Sequence, residues 1–117
     1  MTNSEDKLYH YRAKVVEVYD GDTVTAIVDL GFHIQMEMKI RLVGINAPEM
    51  QEPTKAKGTT ARNYLRKVAL NKSVTLQTMK DKQEKYGRYL GTLWLDGETT
   101  SINETLIAKG YAVPYME

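Results

Sequence analysis

The segment I-Q-M-E-M-K-I-R-L, residues Ile34 to Leu42, decides the fold because apolar and polar residues alternate along its whole length. Successive residues of a β-strand point to opposite faces of the sheet, so this period of two predicts a strand with one face in the core and one in water. We expect Met36 and Met38 to fill the core. Arg41 is expected on the polar face, where a ligand can reach it.

The strand runs into a turn, and together they read I-R-L-V-G-I-N-A-P-E-M from Ile40 to Met50. This stretch carries a guanidinium on Arg41, an amide oxygen on Asn46 and a carboxylate on Glu49. Phosphate chemistry uses a cation, an oxygen ligand and a base of these kinds. Two other segments are predicted to meet the turn, namely Tyr19 to Thr23 (Y-D-G-D-T) and Lys85 to Arg88 (K-Y-G-R).

Further strands are predicted from runs of apolar and β-branched residues that turn signals separate. Asp20-Gly21 and Asp96-Gly97 are dipeptides typical of hairpin turns. Residues 1–8 are polar and are expected to form a flexible end, which leaves 9–117 as one domain. The predicted strands are Tyr9–Tyr19, Thr23–Leu30, Ser73–Met79 and Tyr89–Leu95, with a charged loop at Lys80–Tyr86.

Two helices are predicted from helical spacing and capping signals. Apolar residues recur at helical spacing from Ala61 to Val68, with Thr59 or Thr60 as the expected N-cap. Ser101 to Glu104 matches a capping box that opens a short helix, and Gly110 stands where such a helix ends. The predicted fold is an α+β protein, a β-barrel with helices. A closed five-stranded barrel of the OB type, which binds oligonucleotides on its strand and loop surface, fits this order of elements.

The composition excludes several classes of protein. The chain has no Cys, which excludes disulfides and thiolate metal sites, and the separation of His10 from His33 argues against a histidine zinc site. No apolar run has transmembrane length and the first residues are not a signal peptide, so we expect a cytoplasmic protein without a membrane partner. The net charge of +1 argues against non-specific coating of DNA but allows local phosphate binding.

Each polar segment alone is an ordinary turn, but together they contain the groups that hydrolysis of a phosphodiester needs. Asp22 and Asn46 can each give an oxygen to a hard divalent cation. Glu49 can orient or deprotonate the attacking water. Arg41 and Arg88 can bind the phosphate oxygens and offset charge in the transition state. The tyrosines that could stack on a base, or else pack at the barrel edge, are Tyr86, Tyr111 and Tyr115.

Taken in chain order, these motifs resemble the staphylococcal nuclease (thermonuclease-like) family. The matching blocks are V-x-D-G-D-T at Val18–Thr23, R-L-x-G-I-x-A-P-E at Arg41–Glu49, K-Y-G-R at Lys85–Arg88 and N-E-x-L-I-x-x-G-Y-A at Asn103–Ala112. The resemblance implies a five-stranded OB barrel with helices. It also implies a calcium-dependent nuclease that cleaves the phosphodiester bonds of DNA and RNA.

The resemblance also implies a role for each matching residue. Those that correspond to the metal site are Asp22, Asn46 and Ala47, the last through its backbone carbonyl, with Asp20 as a supporting carboxylate. Those that correspond to catalytic residues are Arg41, Glu49 and Arg88. Lys85 and Tyr86 correspond to residues near the terminal phosphate of a bound nucleotide. Tyr115 lies outside the matching blocks and is expected, from its ring alone, to offer a surface for a base.

Two departures from the family pattern carry expectations of their own. Asn46 stands where the family usually has a metal-binding aspartate, and its amide keeps an acceptor oxygen but lacks the negative charge. We therefore expect weaker calcium binding and reduced activity. The chain stops at Glu117, where the best-known members continue into another helix. We expect either a barrel that closes differently or an uncovered apolar face for a partner or a second copy.

Three functions are compatible with these features. A metal-dependent nuclease acting on single-stranded DNA or RNA is the leading hypothesis, because Arg41, Glu49 and Arg88 are all present. An OB-fold module that binds nucleic acid with weakened catalysis is the alternative, which Asn46 favours. The third is a protein-interaction domain that self-associates through the barrel face left uncovered by the short C-terminus.

Overall fold

A computed structural model describes residues 8–116 of the chain. The predicted flexible end, residues 1–8, lies outside the described part except for Leu8. The elements in chain order are β1 (His10–Asp20), β2 (Thr23–Gly31), β3 (Ile34–Leu42), β4 (Ile45–Asn46), α1 (Lys55–Ala69), β5 (Ser73–Gln83), β6 (Tyr89–Leu95), α2 (Ile102–Ala108) and β7 (Val113–Pro114).

Five of the strands close into a barrel in the spatial order β1-β2-β3-β6-β5, with β5 pairing back to β1. Neighbouring strands are antiparallel except β3 and β6, which run parallel. The short strands β4 and β7 pair with each other outside the barrel. This architecture confirms the predicted α+β fold built on a closed five-stranded barrel of the OB type.

The barrel interior is filled by aliphatic side chains that alternate along the strands, as the period of two requires. Fully buried examples are Val15, Val24, Val28, Leu76 and Leu93. The helix α1 packs against β1 with a narrow face of small and aliphatic residues, namely Gly58, Ala61, Leu65 and Ala69. Neither helix of the described part is long and apolar enough to cross a membrane.

The strand β3 follows the predicted alternation only in its second half. Ile40 and Leu42 are fully buried, but Ile34 is 55% exposed and Met36 is 45% exposed, while Met38 is half-buried. The prediction that the Met side chains fill the core is therefore wrong for Met36. The reason is that β6 pairs with β3 only along Ile40–Leu42, so the first half of β3 extends beyond the closed part of the barrel.

The helix α1 begins earlier than the sequence predicted. It starts at Lys55 after Thr54, so Thr59 and Thr60 lie inside the helix and the predicted N-cap is wrong. The first turn of the helix contains no large apolar residue, and its buried position is Gly58. Apolar periodicity therefore gives no signal there, although the turn is packed.

The helix α2 begins and ends where its capping signals predicted. The Ser101 side chain accepts a hydrogen bond from the Glu104 backbone N–H at 3.0 Å. Gly110 follows the helix with φ of +80°, a conformation that suits glycine. The capping box and its closing glycine are therefore confirmed.

The predicted loop before β6 is wrong for most of its length. β5 continues to Gln83, so much of the predicted loop at Lys80–Tyr86 is strand, with a register shift against β6 after Thr78. Arg66 of α1 is exposed, and its guanidinium also donates to the Val18 carbonyl at 3.2 and 3.4 Å. Long-range contacts of these kinds leave no local pattern in the sequence.

We predict that Gly58→Ala destabilises the protein by about 1–3 kcal/mol, as overpacking does elsewhere. A Cβ at Gly58 would lie 2.8 Å from the Glu49 carbonyl carbon and 2.9 Å from the Pro48 oxygen. These are backbone atoms, so helix and turn must separate to make room. The free energy of unfolding in urea measures the effect. The neighbouring exposed Lys57→Ala, expected within about 0.5 kcal/mol of wild type, is the control, and equal stability of the two variants would contradict the prediction.

Candidate active site

Asp22 lies at the centre of the candidate site, in the turn between β1 and β2. Its side chain is buried, and Oδ1 accepts a hydrogen bond from Thr23 Oγ1 at 3.0 Å while Oδ2 accepts one from the Ala47 N–H at 2.9 Å. Arg41 Nη2 lies 3.5 Å from Oδ2. This carboxylate therefore joins the β1–β2 turn to β3 and to the turn that follows β4.

Close packing at Gly21 fixes the position of the same turn. A Cβ at Gly21 would lie 2.7 Å from the Cβ of Ala47 and 2.8 Å from the Cβ of Ala61. The β1–β2 turn is thus held between α1 and the segment after β4. The sequence predicted a hairpin turn from Asp20-Gly21, and the structure adds that glycine is needed there for space.

Arg41 is buried, with 7% of its surface exposed. Its Nη1 donates to the Leu42 carbonyl at 2.9 Å, its Nη2 donates to Asn46 Oδ1 at 3.3 Å, and its guanidinium lies 5.9 Å from the ring centre of Tyr115. The expectation that it lies open on a polar strand face is wrong. The turns on either side cover that face, and the pairing with Asp22 compensates the buried charge.

Asp20 lies beside Asp22 and accepts a hydrogen bond from the Asp22 N–H at 2.9 Å. Burial and the neighbouring Asp22 carboxylate raise the pKa of Asp20 to about 6. Negative charge is therefore costly in this pocket. A bound cation would lower that cost.

The oxygen atoms of this pocket fit a hard divalent cation. The donors are the carboxylates of Asp20 and Asp22 and the amide oxygen of Asn46, which is the ligand chemistry that calcium takes. No group of three or more His, Cys, Asp and Glu side chains suited to a metal occurs among residues 8–116. A cation bound here would take its remaining ligands from the amide of Asn46, a backbone carbonyl such as that of Ala47, and water.

Glu49 lies in the turn between β4 and α1 with its side chain exposed to solvent. The backbone of this turn is fixed, since Thr54 Oγ1 donates to the Glu49 carbonyl at 3.0 Å. Within the described residues the Glu49 carboxylate makes no hydrogen bond or ion pair. The Glu49 carboxylate therefore lies in solvent, outside the hydrogen-bond network around Asp22.

Arg88 reaches the site from the segment before β6. Its Nε and Nη2 donate to the two carboxylate oxygens of Glu84 at 3.1 and 3.2 Å, and its Nη1 lies 3.5 Å from Thr23 Oγ1. The ring of Tyr86 lies 5.4 Å from the Arg88 guanidinium and 5.0 Å from Lys85 Nζ. Lys85, Tyr86 and Arg88 are thus brought together as predicted neighbours of one subsite.

Sequence reasoning missed two residues that link these groups. Thr23 bonds to Asp22 and also faces Arg88. Glu84 holds Arg88 through the side chain and accepts from its backbone N–H at 2.9 Å. The spacing of four between Glu84 and Arg88 was the available signal, although such pairs are usually read on helices.

The three candidate tyrosines have different surroundings. Tyr86 and Tyr115 are exposed beside Arg88 and Arg41 respectively. Tyr111 stacks on Tyr64, with ring centres 4.4 Å apart, in the layer that packs on the core. For Tyr111 the packing alternative therefore holds.

We predict a strongly depressed pKa for the Glu84 carboxyl. The hydrogen bonds and charge of Arg88 lower it to about 2, and the pKa of Arg88 is raised in turn. Stability from this pair is fully present above the ordinary pKa of glutamate, about 4.5, and is lost as pH falls from there towards 2. An NMR titration of the Glu84 carboxyl tests the shift. Arg88→Ala should return the pKa towards its ordinary value, and an unchanged titration would contradict this assignment.

Comparison with known proteins agrees with the fold and the motifs. The family described as "Staphylococcal nuclease homologue" matches residues 39–117. The chain is 33% identical to Protein ParB of Escherichia coli, over 89% of this chain and 57% of that protein. It is 30% identical to Thermonuclease of Staphylococcus hyicus, over 96% and 62% respectively, and 30% identical to Micrococcal nuclease of Shigella flexneri, over 90% and 59%.

The chain thus spans less than two thirds of the length of each of these relatives. The family match nevertheless covers more than half of the chain and includes the segments of Arg41, Glu49 and Arg88. Together with the closed barrel and the network around Asp22, it establishes that the chain belongs to the staphylococcal nuclease family.

Proposed function

We propose that this protein is a calcium-dependent nuclease that hydrolyses phosphodiester bonds of single-stranded DNA or RNA. The observation that carries the proposal is the position of two guanidinium groups around one buried carboxylate. Arg41 lies 3.5 Å from Asp22, and Arg88 lies 3.5 Å from Thr23, which is itself bonded to Asp22. Two cations beside an oxygen-rich pocket form a site for a phosphate with a metal ion.

Asp22, Asn46 and the Ala47 carbonyl would hold the calcium ion, with Asp20 in support. When bound, the ion supplies positive charge to the phosphoryl oxygens. The adjacent carboxylates of Asp20 and Asp22 support this assignment, because a bound cation would offset the burial and repulsion that raise the pKa of Asp20 to about 6. The donors already bonded to Asp22 hold its carboxylate in the pocket. Asn46 supplies an oxygen without a charge, which favours weak calcium binding.

Arg41 would bind and orient the scissile phosphate. A guanidinium has five N–H groups, and its partners here, Leu42 O, Asn46 Oδ1 and Asp22 Oδ2, leave donors for phosphate oxygens. The burial of Arg41 fixes the orientation of its guanidinium before substrate binds, so little conformational entropy is lost on binding.

Arg88 would bind the phosphate from the other side. Glu84 holds the Nε and Nη2 of Arg88. A phosphate that binds these N–H groups therefore has to share them with the Glu84 carboxylate or displace it. A stacking surface for a nucleotide is offered by the rings of Tyr86, next to Arg88, and of Tyr115, next to Arg41. Lys85, beside Tyr86, offers a further cation.

Glu49 would accept the proton of the attacking water. Its carboxylate is exposed to solvent, where water is abundant. Its backbone is held by Thr54 and by the first turn of α1. A base held in this way keeps its position relative to Arg41 while its side chain stays free to meet the water.

We predict that Glu49→Gln lowers the rate of cleavage of labelled single-stranded DNA by about 10²–10⁴-fold, the usual contribution of a general base. Gln keeps the size of the side chain but cannot take a proton. Glu98→Gln, another exposed glutamate, serves as the matched control and should cut like wild type. If Glu49→Gln and Arg88→Ala both cleave like wild type, the catalytic assignment is wrong.

We further predict that Asn46→Asp lowers the calcium concentration for half-maximal cleavage about tenfold, which corresponds to about 1.4 kcal/mol. The same shift should be seen in the calcium concentration that raises the melting temperature, a readout that does not depend on catalysis. If Asn46→Asp responds to calcium like wild type, Asn46 is not a ligand of the metal. Cleavage by Asn46→Asp alone, with none by wild type, would favour the nucleic-acid-binding module.

A further inference from the structure

The first half of β3, Ile34–Lys39, has a free strand edge, which we call the β3 edge. β2 pairs with it on one side, from Ile34 opposite Gly31 to Lys39 opposite Thr25. On the other side β6 pairs only with Ile40–Leu42, and no other strand of residues 8–116 pairs there. A row of backbone N–H and C=O groups is therefore open to a further strand.

The β3 edge is also apolar on one face. Leu30, Ile34 and Met36 are each more than a third exposed on this face, and Phe32 at the hairpin tip is 94% exposed. Natural proteins usually protect such an edge with a proline, a bulge or a charge that points inward. None of Ile34, Met36 and Met38 is such a residue, so this face is suited to contact.

The two features together select the kind of partner. A lipid surface would cover the apolar side chains but would leave the backbone groups of the edge without hydrogen-bond partners. Nucleic acid is disfavoured because the exposed side chains of this face are apolar and offer no cation to phosphate. An added β-strand satisfies the backbone groups and covers the apolar side chains at once.

We propose that the partner strand is the β3 edge of a second copy of this chain, paired antiparallel with Met36 on the two-fold axis. Side chains opposite each other in an antiparallel pair lie on the same face, so apolar residues must meet apolar ones. With Met36 on the axis, Ile34 of each copy faces Met38 of the other. On the polar face Gln35 then faces Glu37.

Other registers are less favourable. With Glu37 on the axis, two glutamates would face each other directly, and like charges in that position are destabilising. With Met38 on the axis, Met36 would have to face Ile40, whose edge is already paired with Tyr89 of β6. With Gln35 on the axis, the ladder would run into the Phe32–His33 turn.

This dimer is isologous, since the same patch is used on both copies. It joins β2 and β3 of each copy into one four-stranded sheet whose exposed apolar side chains lie on a single face. The surface is separate from the residues assigned to phosphate and metal, and the inference therefore does not depend on the proposed function.

Cross-linking tests the position of the axis. The chain has no cysteine, so Met36→Cys introduces a single thiol. Opposite Cα atoms of antiparallel strands are about 4.5–5.5 Å apart, which is within the range of a disulfide. Mild oxidation should convert most of Met36→Cys to a covalent dimer. Met79→Cys, at a position 51% exposed on β5, is the matched control and should form no covalent dimer.

Association of the unmodified chain tests the dimer itself. Sedimentation velocity should show a mass that rises with concentration for wild type, and Met36→Lys should raise the dissociation constant by about tenfold or more, because two charges then meet on the axis. Met79→Lys should associate like wild type. A wild-type monomer at every concentration, or equal cross-linking of Met36→Cys and Met79→Cys, overturns the proposal. The proposal is also overturned, in favour of a membrane surface, if the wild-type monomer binds lipid vesicles and Met36→Lys abolishes that binding.

Discussion

The contact between the buried Asp22 carboxylate and its three partners is the interaction on which the candidate site depends. Thr23, Ala47 and Arg41 come from β2, from the segment after β4 and from β3, and each places a donor at the same carboxylate. Removing the carboxylate would leave a buried guanidinium without its counter-charge, which is far more costly than the pair itself is stabilising. The same carboxylate therefore serves the packing of three segments and the electrostatics of the pocket.

The two arginines at this pocket are held by different physical means. Arg41 is buried and its partners are fixed by the barrel, so its orientation is part of the fold. Arg88 is partly exposed, and the Glu84 carboxylate holds its Nε and Nη2. A phosphate bound as proposed would meet one cation fixed by the barrel and one held by a single carboxylate.

Much of this arrangement could be predicted from sequence, because it rests on local signals. Alternation along β3, the runs of apolar and β-branched residues in the other strands, the Asp20-Gly21 turn and the Ser101 capping box each report on neighbouring residues. They gave the barrel and the second helix, whereas Asp96-Gly97 leads from β6 to α2 and forms no hairpin. The errors have a common cause in contacts made at long range. Met36 has core-like spacing yet is exposed, since the extent of β3–β6 pairing is not encoded near Met36. The start of α1 was missed because Gly58 is buried by packing against Glu49 without being apolar.

The candidate site shows the same division. The described contacts join Asp22, Arg41 and Asn46 in one network, whereas the Glu49 carboxylate lies outside it. The burial of Arg41 and the parts taken by Glu84 and Thr23 were not apparent from the sequence. Sequence identifies which groups are present. The way they share hydrogen bonds depends on how the turns cover one another, and single-sequence patterns carry no information on that.

The parallel pairing of β3 with β6 has a consequence for the order in which the site can form. β1, β2 and β3 are joined by tight turns, so their antiparallel meander needs only local contacts. Arg88 is separated from Thr23 by 65 positions in the chain and reaches it only when β6 is placed beside β3 and the barrel closes. A chain with only the meander folded holds Asp22 and Arg41 but lacks the second cation, so the proposed phosphate site is complete only in the fully closed molecule.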